Sequence, residues 1–240
     1  MLAPENTLRS FELALEHGAD GFEVDAVALA DGTLVAGHSL DLAELCHGAA
    51  HGGADARGLD ELRRLDAGLA TLEQVLGLAA ARLSSGPLLI DLKSTGQERA
   101  LIEALRRHGL QERVLLCSLE RAQLVRLREL APEIARSLSY PADRRRLSER
   151  RVLAPLVPLA LRGLRLLLRH RIGTWLDETD AAAVTLHHDV IGADLVRSCH
   201  ERGVAVIAWT VDDADVGRRL IEAGIDAIIT NDPRLFPLTV

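Results

Sequence analysis

The sequence predicts an α/β protein in which parallel strands alternate with crossover helices. Apolar, β-rich runs are separated by helical stretches along most of the chain. Those helical stretches often end in glycine, as in LEHGADGFEVD and IEAGIDAIIT, where a left-handed residue lets the chain reverse. Hydrophobic residues make up 48% of the 240 residues, which is enough for a sizeable core. Alternation of this kind indicates a parallel sheet with helices on its faces.

Seven strands are predicted, and a closed barrel of this type needs eight. In chain order they are Phe22–Leu29, Leu88–Lys93, Val114–Leu119, Ile134–Ser139, Ala183–Leu186, Val204–Val211 and Ala227–Thr230. An open, doubly wound sheet is the alternative, since it tolerates unpaired edges. Periodicity alone does not choose between the two architectures.

The first helix has no predicted strand ahead of it. Asn6 is a plausible N-cap, Leu8, Phe11 and Leu15 share one helical face, and Gly18 ends the helix. A barrel that opens in this way is short of its first strand.

Two segments interrupt the alternation of what we take to be a single domain over residues 1–240. Residues 31–70 are polar and glycine-rich and indicate a functional insertion, after which Thr71–Gln74 has capping-box spacing. Residues 141–178 are both apolar and arginine-rich. Within them, Arg144–Arg171 could form an amphipathic helix that lies on a membrane surface. The alternative is a barrel helix with an elaborated cap.

Composition excludes some classes of partner and compartment. The net charge is −7 and aromatic residues are only 2%, so the chain offers neither a basic surface nor stacking rings for nucleic acid. Cys46, Cys117 and Cys199 share no metal-type spacing and indicate thiols in a reducing compartment. No signal peptide follows Met1, and no apolar run is long enough to span a bilayer. We expect a cytoplasmic protein, although an upstream export signal stays possible.

A pair of carboxylates marks the first predicted strand. Glu23 and Asp25 are two residues apart, so both leave the same face of the strand, while Phe22 and Val24 take the other face. Adjacent carboxylates repel each other unless a cation or a shared proton relieves them. Oxygen ligands suit Mg²⁺ or Ca²⁺. The alternative is a solvated strand end.

The next strand carries a similar pair in PLLIDLKS. Asp91 and Lys93 share one strand face, and a carboxylate beside an ammonium suits a metal together with a phosphate. An ordinary Asp–Lys ion pair is the alternative. Active sites of barrels gather at the C-terminal strand ends, which favours a site shared with the first pair.

Histidines supply the candidates for proton transfer. His38 lies in DGTLVAGHSLDL and could give or take a proton at a P–O bond, although a lone loop histidine is more often solvated. His187 and His188 could reach a pocket. Alternatively, Asp189 caps the following helix and at least one of these histidines packs or is solvated. His47 carries no spacing argument.

Six short stretches occur together from one end of the chain to the other. They are APENTLRSF (Ala3–Phe11), GADGFEVD (Gly18–Asp25), DGTLVAGH (Asp31–His38), LLIDLK (Leu88–Lys93), WTVDD (Trp209–Asp213) and ITNDP (Ile229–Pro233). Each is weak alone. In this order, the set resembles the glycerophosphodiester phosphodiesterase family with high specificity.

The resemblance implies a TIM-type (β/α)8 barrel that hydrolyses a phosphodiester to glycerol phosphate and an alcohol with the help of one divalent cation, Mg²⁺ or Ca²⁺. The polar insertion would follow the barrel's second strand. Carried over to this sequence, the implied residues are the metal ligands Glu23, Asp25 and Asp91, the phosphate-facing Lys93, the acid/base His38, and Trp209 as a wall of the substrate site.

Three departures from the family pattern stand out. The family has His-Arg-Gly on a first strand shortly before the Ala-Pro-Glu-Asn-Thr stretch, whereas here Met1 occupies the approach. His38 is followed by Ser39 instead of aspartate, and Asp91 is shorter than the usual glutamate. We hypothesise that the reading frame starts upstream of Met1, and we expect the chain as it stands to be poorly active. The rival is a true truncation that leaves a pseudoenzyme able to bind metal or phosphate.

The resemblance leaves the substrate partly open. Glycerophosphodiesters such as glycerophosphocholine are the first expectation, and a lysophospholipid-hydrolysing relative of phospholipase D type is the alternative that Arg144–Arg171 favours. The sequence does not determine the alcohol group, the choice of metal or the oligomeric state.

Overall fold

The computed structural model describes residues 2–83, 86–141 and 157–236. Contacts divide the chain into two compact units. The first unit comprises residues 1–117, 126–135 and 231–240, and the second comprises residues 118–125 and 136–230. The prediction of a single domain therefore stays a prediction.

The first unit holds most of the N-terminal half. Its elements are α1 (Leu8–Glu16), β1 (Phe22–Ala28), β2 (Leu34–Ala36), α2 (Leu42–Leu45), α3 (Leu59–Leu65), α4 (Leu72–Arg82), β3 (Leu88–Leu92), α5 (Glu98–His108), β4 (Val114–Ser118), whose last residue falls in the second unit, and a 3₁₀ turn at Pro233–Leu235. Helix α6 (Arg121–Leu130) begins in the second unit and ends in the first.

The second unit repeats a strand–helix alternation. Its elements are β5 (Ala135–Tyr140), whose first residue falls in the first unit, α7 (Val157–Thr179), β6 (Ala183–His187), a 3₁₀ turn at His188–Val190, α8 (Ala193–His200), β7 (Ala205–Trp209), α9 (Ala214–Glu222) and β8 (Ala227–Ile228).

The strands of each unit run mostly parallel. In the first unit the order is β2-β1-β3-β4, with β2 antiparallel to β1 and the other neighbours parallel. In the second unit the order is β5-β6-β7-β8, and every neighbouring pair is parallel. The seven predicted strands are β1 and β3 to β8, each confirmed with ends within two residues of the prediction. The additional strand is β2, a short hairpin partner inside the predicted insertion.

The cap of the first helix differs from the prediction. Thr7, not Asn6, is the N-cap, and it exchanges bonds with Ser10: the Ser10 amide donates to Thr7 Oγ1 at 3.1 Å, and the Thr7 amide donates to Ser10 Oγ at 3.3 Å. Asn6 has a left-handed backbone with φ of 57° and directs its side chain elsewhere. Phe11 is buried and stacks on Phe22 of β1 with ring centroids 4.6 Å apart. This contact anchors α1 on the sheet.

The segment 31–70 builds a small core of its own against the hairpin of β1 and β2. The buried members of this core are Val27, Leu29, Val35, Leu42, Leu45, Cys46, Ala54, Leu62 and Leu69. The capping box at Thr71–Gln74 is confirmed, since the Gln74 amide donates to Thr71 Oγ1 at 3.3 Å. The interpretation of the segment as a functional insertion stays a prediction.

The arginine-rich segment is described only from residue 157 onward, and residues 142–156 lie outside the described ranges. Arg169 on α7 pairs with Asp194 on α8 at 2.6 Å. The buried residues of α7 include Leu168, Ile172 and Leu176. This part of the segment therefore packs as a helix of the second unit. In the three described ranges, no helix is both long and apolar enough to cross a membrane.

A close backbone approach precedes β1 and β3. A Cβ atom added to Gly86 would lie 1.5 Å from the carbonyl oxygen of Asp20, and one added to Gly21 would lie 2.0 Å from that of Pro87. Both neighbours are backbone atoms, so neither can rotate away. Strands β1 and β3, which carry the carboxylates, depend on these two glycines for their spacing.

We expect Gly86→Ala to lower the free energy of unfolding by about 3 kcal/mol, because the two backbones must separate. The matched control is Gly77→Ala inside α4, where the nearest atom to the new Cβ is His108 Cε1 at 3.9 Å. That change should stabilise the protein by about 0.5–1 kcal/mol through helix propensity. Urea unfolding measures both values. Equal effects of the two substitutions would contradict the close approach.

Candidate active site

Three carboxylates converge on the neighbouring strands β1 and β3. Glu23 and Asp25 share one face of β1, and Asp91 of β3 is the register partner of Asp25. One ligand oxygen from each of the three lies within 4.8 Å of those of the other two. The structure thus brings together the three residues named from the sequence. Their role as metal ligands stays a prediction.

Lys93 supplies positive charge to the same cluster. Its Nζ lies 2.9 Å from Asp25 Oδ1 and 2.5 Å from Asp91 Oδ2. The Lys93 amide donates to the carbonyl of Ala26 at 3.0 Å, which continues the alignment of β3 with β1. The side chains of the ion-paired residues are 19%, 12% and 16% exposed for Lys93, Asp25 and Asp91, so water screens them little.

The electrostatics of the cluster show an excess of negative charge. Burial, and then the neighbouring Asp25 and Asp91, raise the pKa of Glu23 well above its usual value. Burial also raises the pKa of Asp91, against the opposing pull of Lys93. Desolvation would lower the pKa of Lys93, but the two aspartates outweigh it and raise that pKa. A second cation would relieve this strain.

One oxygen of the cluster fits such a cation. Asp91 Oδ1 is buried and accepts no hydrogen bond from any residue that the structure describes. A buried acceptor without a partner costs about 1–3 kcal/mol, so native proteins rarely leave one unused. The surrounding ligands are carboxylate oxygens, the donor type that hard divalent ions prefer. The residues present therefore fit a divalent cation, and the shorter Asp91 still reaches the cluster.

Asn6 belongs to this site, although the sequence suggested only a helix cap. Its Nδ2 donates to Asp25 Oδ2 at 3.0 Å, and its Oδ1 accepts from the Asp25 amide at 3.0 Å. The loop that carries it is held by His47, whose Nε2 lies 3.0 Å from the Glu5 carbonyl and whose Nδ1 lies 3.1 Å from Asp66 Oδ2. Asparagine is one of the few residues that tolerate a left-handed backbone, which is the sequence signal for this position.

His38 lies next to the cluster on the loop after β2. The preceding Gly37 amide donates to the Asp25 carbonyl at 3.0 Å, which ties this loop to β1. Burial raises the pKa of Asp91, and a protonated His38 is near enough to oppose that rise. The imidazole is 50% exposed, and its Nδ1 lies 3.5 Å from Glu44 Oε2. His38 is thus open to a ligand and close to an acidic residue that the sequence analysis did not identify.

Trp209 ends β7 in the second unit. Its Nε1 donates to the carbonyl of Thr185 at 3.1 Å. Its ring meets His187 edge-on, with centroids 5.4 Å apart. These contacts fix the orientation of the indole. Its predicted part in the substrate site stays a prediction.

A second group of potential ligands lies in the same unit. One ligand atom each from His187, His188 and Asp189 falls within 4.8 Å of the others. The two imidazoles are stacked, with ring centroids 4.3 Å apart and an angle of 28° between the ring planes. The prediction that Asp189 caps the next helix is wrong: Asp189 sits inside the 3₁₀ turn, and Gly192 is the N-cap of α8. The 3₁₀ turn therefore lies between β6 and α8.

Comparison with known proteins places the chain in one family. Residues 1–235 match the model of the glycerophosphoryl diester phosphodiesterase family. A curated glycerophosphodiester phosphodiesterase of Caldanaerobacter subterraneus subsp. tengcongensis is 29% identical over 250 residues, which cover 96% of this chain and 89% of that protein.

Solved structures support the same placement. An Oleispira antarctica phosphodiesterase in complex with the product sn-glycerol-3-phosphate superposes with a TM-score of 0.78 at 26% identity, covering 97% of this chain and 90% of that one. A Thermotoga maritima glycerophosphodiester phosphodiesterase gives a TM-score of 0.72 at 20% identity, covering 98% and 91%. These neighbours are TIM barrels, so the predicted fold class is confirmed. The match along nearly the whole chain shows that it belongs to the glycerophosphoryl diester phosphodiesterase family.

Proposed function

We propose that this protein is a divalent-cation-dependent hydrolase that cleaves glycerophosphodiesters to glycerol phosphate and an alcohol. The observation that carries the proposal is the partly buried cluster of Glu23, Asp25 and Asp91 beside Lys93, in a chain of this family. The fit of a phosphate-diester substrate is supported by the related phosphodiesterase solved with sn-glycerol-3-phosphate.

Glu23, Asp25 and Asp91 would hold the cation. Their carboxylates are oxygen-only ligands on two neighbouring strands, and Asp91 Oδ1 is buried without a hydrogen-bond partner within the described part of the chain. When bound, a divalent cation polarises a phosphoryl oxygen and offsets the charge that develops on it. The oxygen-only set supports Mg²⁺ or Ca²⁺.

Lys93 and His38 supply the remaining chemistry. The Lys93 ammonium, fixed between Asp25 and Asp91, provides a point charge for a second phosphate oxygen. Hydrolysis adds the hydroxyl of water to phosphorus and breaks the ester P–O bond, and the departing alcohol oxygen takes up a proton. His38, half exposed beside the cluster, exchanges that proton or the one lost by water.

The cellular compartment is proposed from the state of the three cysteine thiols. Cys46, Cys117 and Cys199 are all buried, and each is a thiol. Burial raises the pKa of Cys199 to about 11, so its thiol is unreactive at neutral pH. These features support the reducing cytoplasm as the location.

A lysophospholipid is the second candidate substrate, and one feature of α7 favours it. Leu166 and Leu167 are 58% and 45% exposed, close in sequence to Arg165 and Arg169. Exposed apolar side chains flanked by arginines suit an acyl chain at a lipid surface.

Hydrolysis of lysophosphatidylcholine and of glycerophosphocholine should be compared in one assay, with Leu166→Ser/Leu167→Ser as the variant. If the acylated substrate is used through α7, the variant loses at least tenfold in kcat/KM for it and retains its rate on glycerophosphocholine. Equal rates of the variant and the wild type on the acylated substrate would remove this candidate.

Asp91→Asn should remove most of the stabilisation by the cation and most of the hydrolytic activity. We expect Mg²⁺ or Ca²⁺ at 100 times its Kd to stabilise the wild type by about 2.7 kcal/mol. The variant should gain much less and should lose hydrolysis of glycerophosphocholine by at least 100-fold. Thermal unfolding with and without each ion, together with choline release, measures both effects.

The matched control is Asp60→Asn, an exposed aspartate in the first turn of α3. It should behave as the wild type in both assays. Equal stabilisation of wild type and Asp91→Asn by the ion would contradict the proposed site. Stabilisation of the wild type without any turnover would indicate a binding protein in place of an enzyme.

Substitution of Asn6 should weaken cation binding without removing a ligand. We expect Asn6→Ala to lower cation affinity about 10- to 100-fold, because Asp25 loses the donor that orients its carboxylate. Asn6→Gly is the companion variant, since glycine keeps the left-handed backbone and lacks the side chain. Calorimetric titration should show a similar loss in both. A normal affinity in Asn6→Gly would show that only the backbone conformation matters.

A further inference from the structure

A second acidic residue lies behind His38. Glu44 Oε2 lies 3.5 Å from His38 Nδ1 and accepts a hydrogen bond from Ser39 Oγ at 2.5 Å. Ser39 occupies the position where the resemblance leads one to expect aspartate. The carboxylate next to the histidine is thus present in space, but it comes from α2 and not from the adjacent residue.

The packing of α2 directs Glu44 to this place. Asp41 caps the helix, with its Oδ1 accepting from the Ala43 amide at 2.9 Å. Leu42 and Leu45 are 1% and 2% exposed and are fixed in the small core of the segment 31–70. Glu44, between them, is 26% exposed and faces the loop of His38. The short helix therefore holds the carboxylate on a rigid base.

We propose that Glu44 is the positioning residue of His38, an inference that rests on the proposed function. At 3.5 Å from Nδ1, the Glu44 carboxylate attracts the Nδ1–H of the neutral imidazole and so favours the tautomer whose lone pair is on Nε2. The Ser39 hydroxyl donates to the same oxygen and fixes the direction of the carboxylate. His38 also lies close enough to Asp91 on β3 that its charged form lowers the pKa of that carboxyl, against the effect of burial.

This arrangement gives His38 a defined direction of proton transfer. Nε2 exchanges one proton of the reaction, either taking it from the attacking water or, once protonated and stabilised by Glu44, giving it to the departing alcohol oxygen. Water loses one proton and the alcohol gains one, so the overall reaction balances. Glu44 itself touches no substrate and acts only through the ring.

The test combines a spectroscopic and a kinetic measurement on Glu44→Gln. At a pH where imidazoles are neutral, ¹⁵N correlation spectra of the wild type should show His38 with its proton on Nδ1. A His38→Gln variant identifies its signals among the 9 histidines. In Glu44→Gln the proton should move largely to Nε2. With glycerophosphocholine, kcat should fall about 10- to 100-fold, part of the usual contribution of acid–base catalysis, and KM should change less than threefold.

Two further variants separate positioning from folding. Ser39→Asp combined with Glu44→Gln returns a carboxylate to the ring from the neighbouring residue, and it should recover at least tenfold of the lost kcat. Glu61→Gln on α3, whose partner is the nearby Arg57 at 2.8 Å, is the matched control and should leave the spectra and kcat unchanged.

The outcomes are distinguishable. Unchanged His38 signals in Glu44→Gln would overturn the inference whatever the activity. Altered signals with an unchanged kcat would also overturn it, since the pair would then have no part in the reaction. A wild type that shows the Nδ1–H form but hydrolyses no glycerophosphodiester would contradict the proposed function, and the inferred role of Glu44 in catalysis would fall with it.

Discussion

The repulsion among three partly buried carboxylates is the constraint around which the first unit is organised. Glu23, Asp25 and Asp91 lie on adjacent strands with Lys93 as the cation bonded to two of them. One ammonium against three carboxylates leaves an excess of negative charge, and burial prevents water from screening it. The raised pKa of Glu23 follows from burial and from its two acidic neighbours. Such a cluster is costly for stability alone, and its cost is understandable if it binds a cation when it works.

The parts that surround the cluster come from segments without regular long elements. Asn6 reaches Asp25 from the loop before α1, and His47 holds that loop. Gly37 ties the hairpin to Asp25, and α2 brings Glu44 to His38. The segment 31–70 thus serves as a frame with a small core of its own. Function is often carried by such loops, provided that a rigid scaffold positions them.

Much of the scaffold was predictable from the sequence because its signals are local. Apolar runs located β1 and β3 to β8, and the two-residue spacing placed Glu23 and Asp25 on one face. The roles of Asn6 and Glu44 were missed for a common reason. Asn6 acts on a residue 19 positions away, and Glu44 reaches His38 through a four-residue helix; neither contact has a periodicity. The cap at Thr7 was misassigned because Asn and Thr are both good caps, and only the left-handed backbone of Asn6 separates them.

The central claim is that the three carboxylates hold one divalent cation. A crystal structure of the protein grown with Mn²⁺, located by its anomalous scattering, tests this most directly. The account predicts one strong peak about 2.0–2.6 Å from oxygens of Glu23, Asp25 and Asp91, the range for oxygen-bound divalent ions. A cluster without a peak at saturating Mn²⁺, with Lys93 still bridging Asp25 and Asp91, would contradict it.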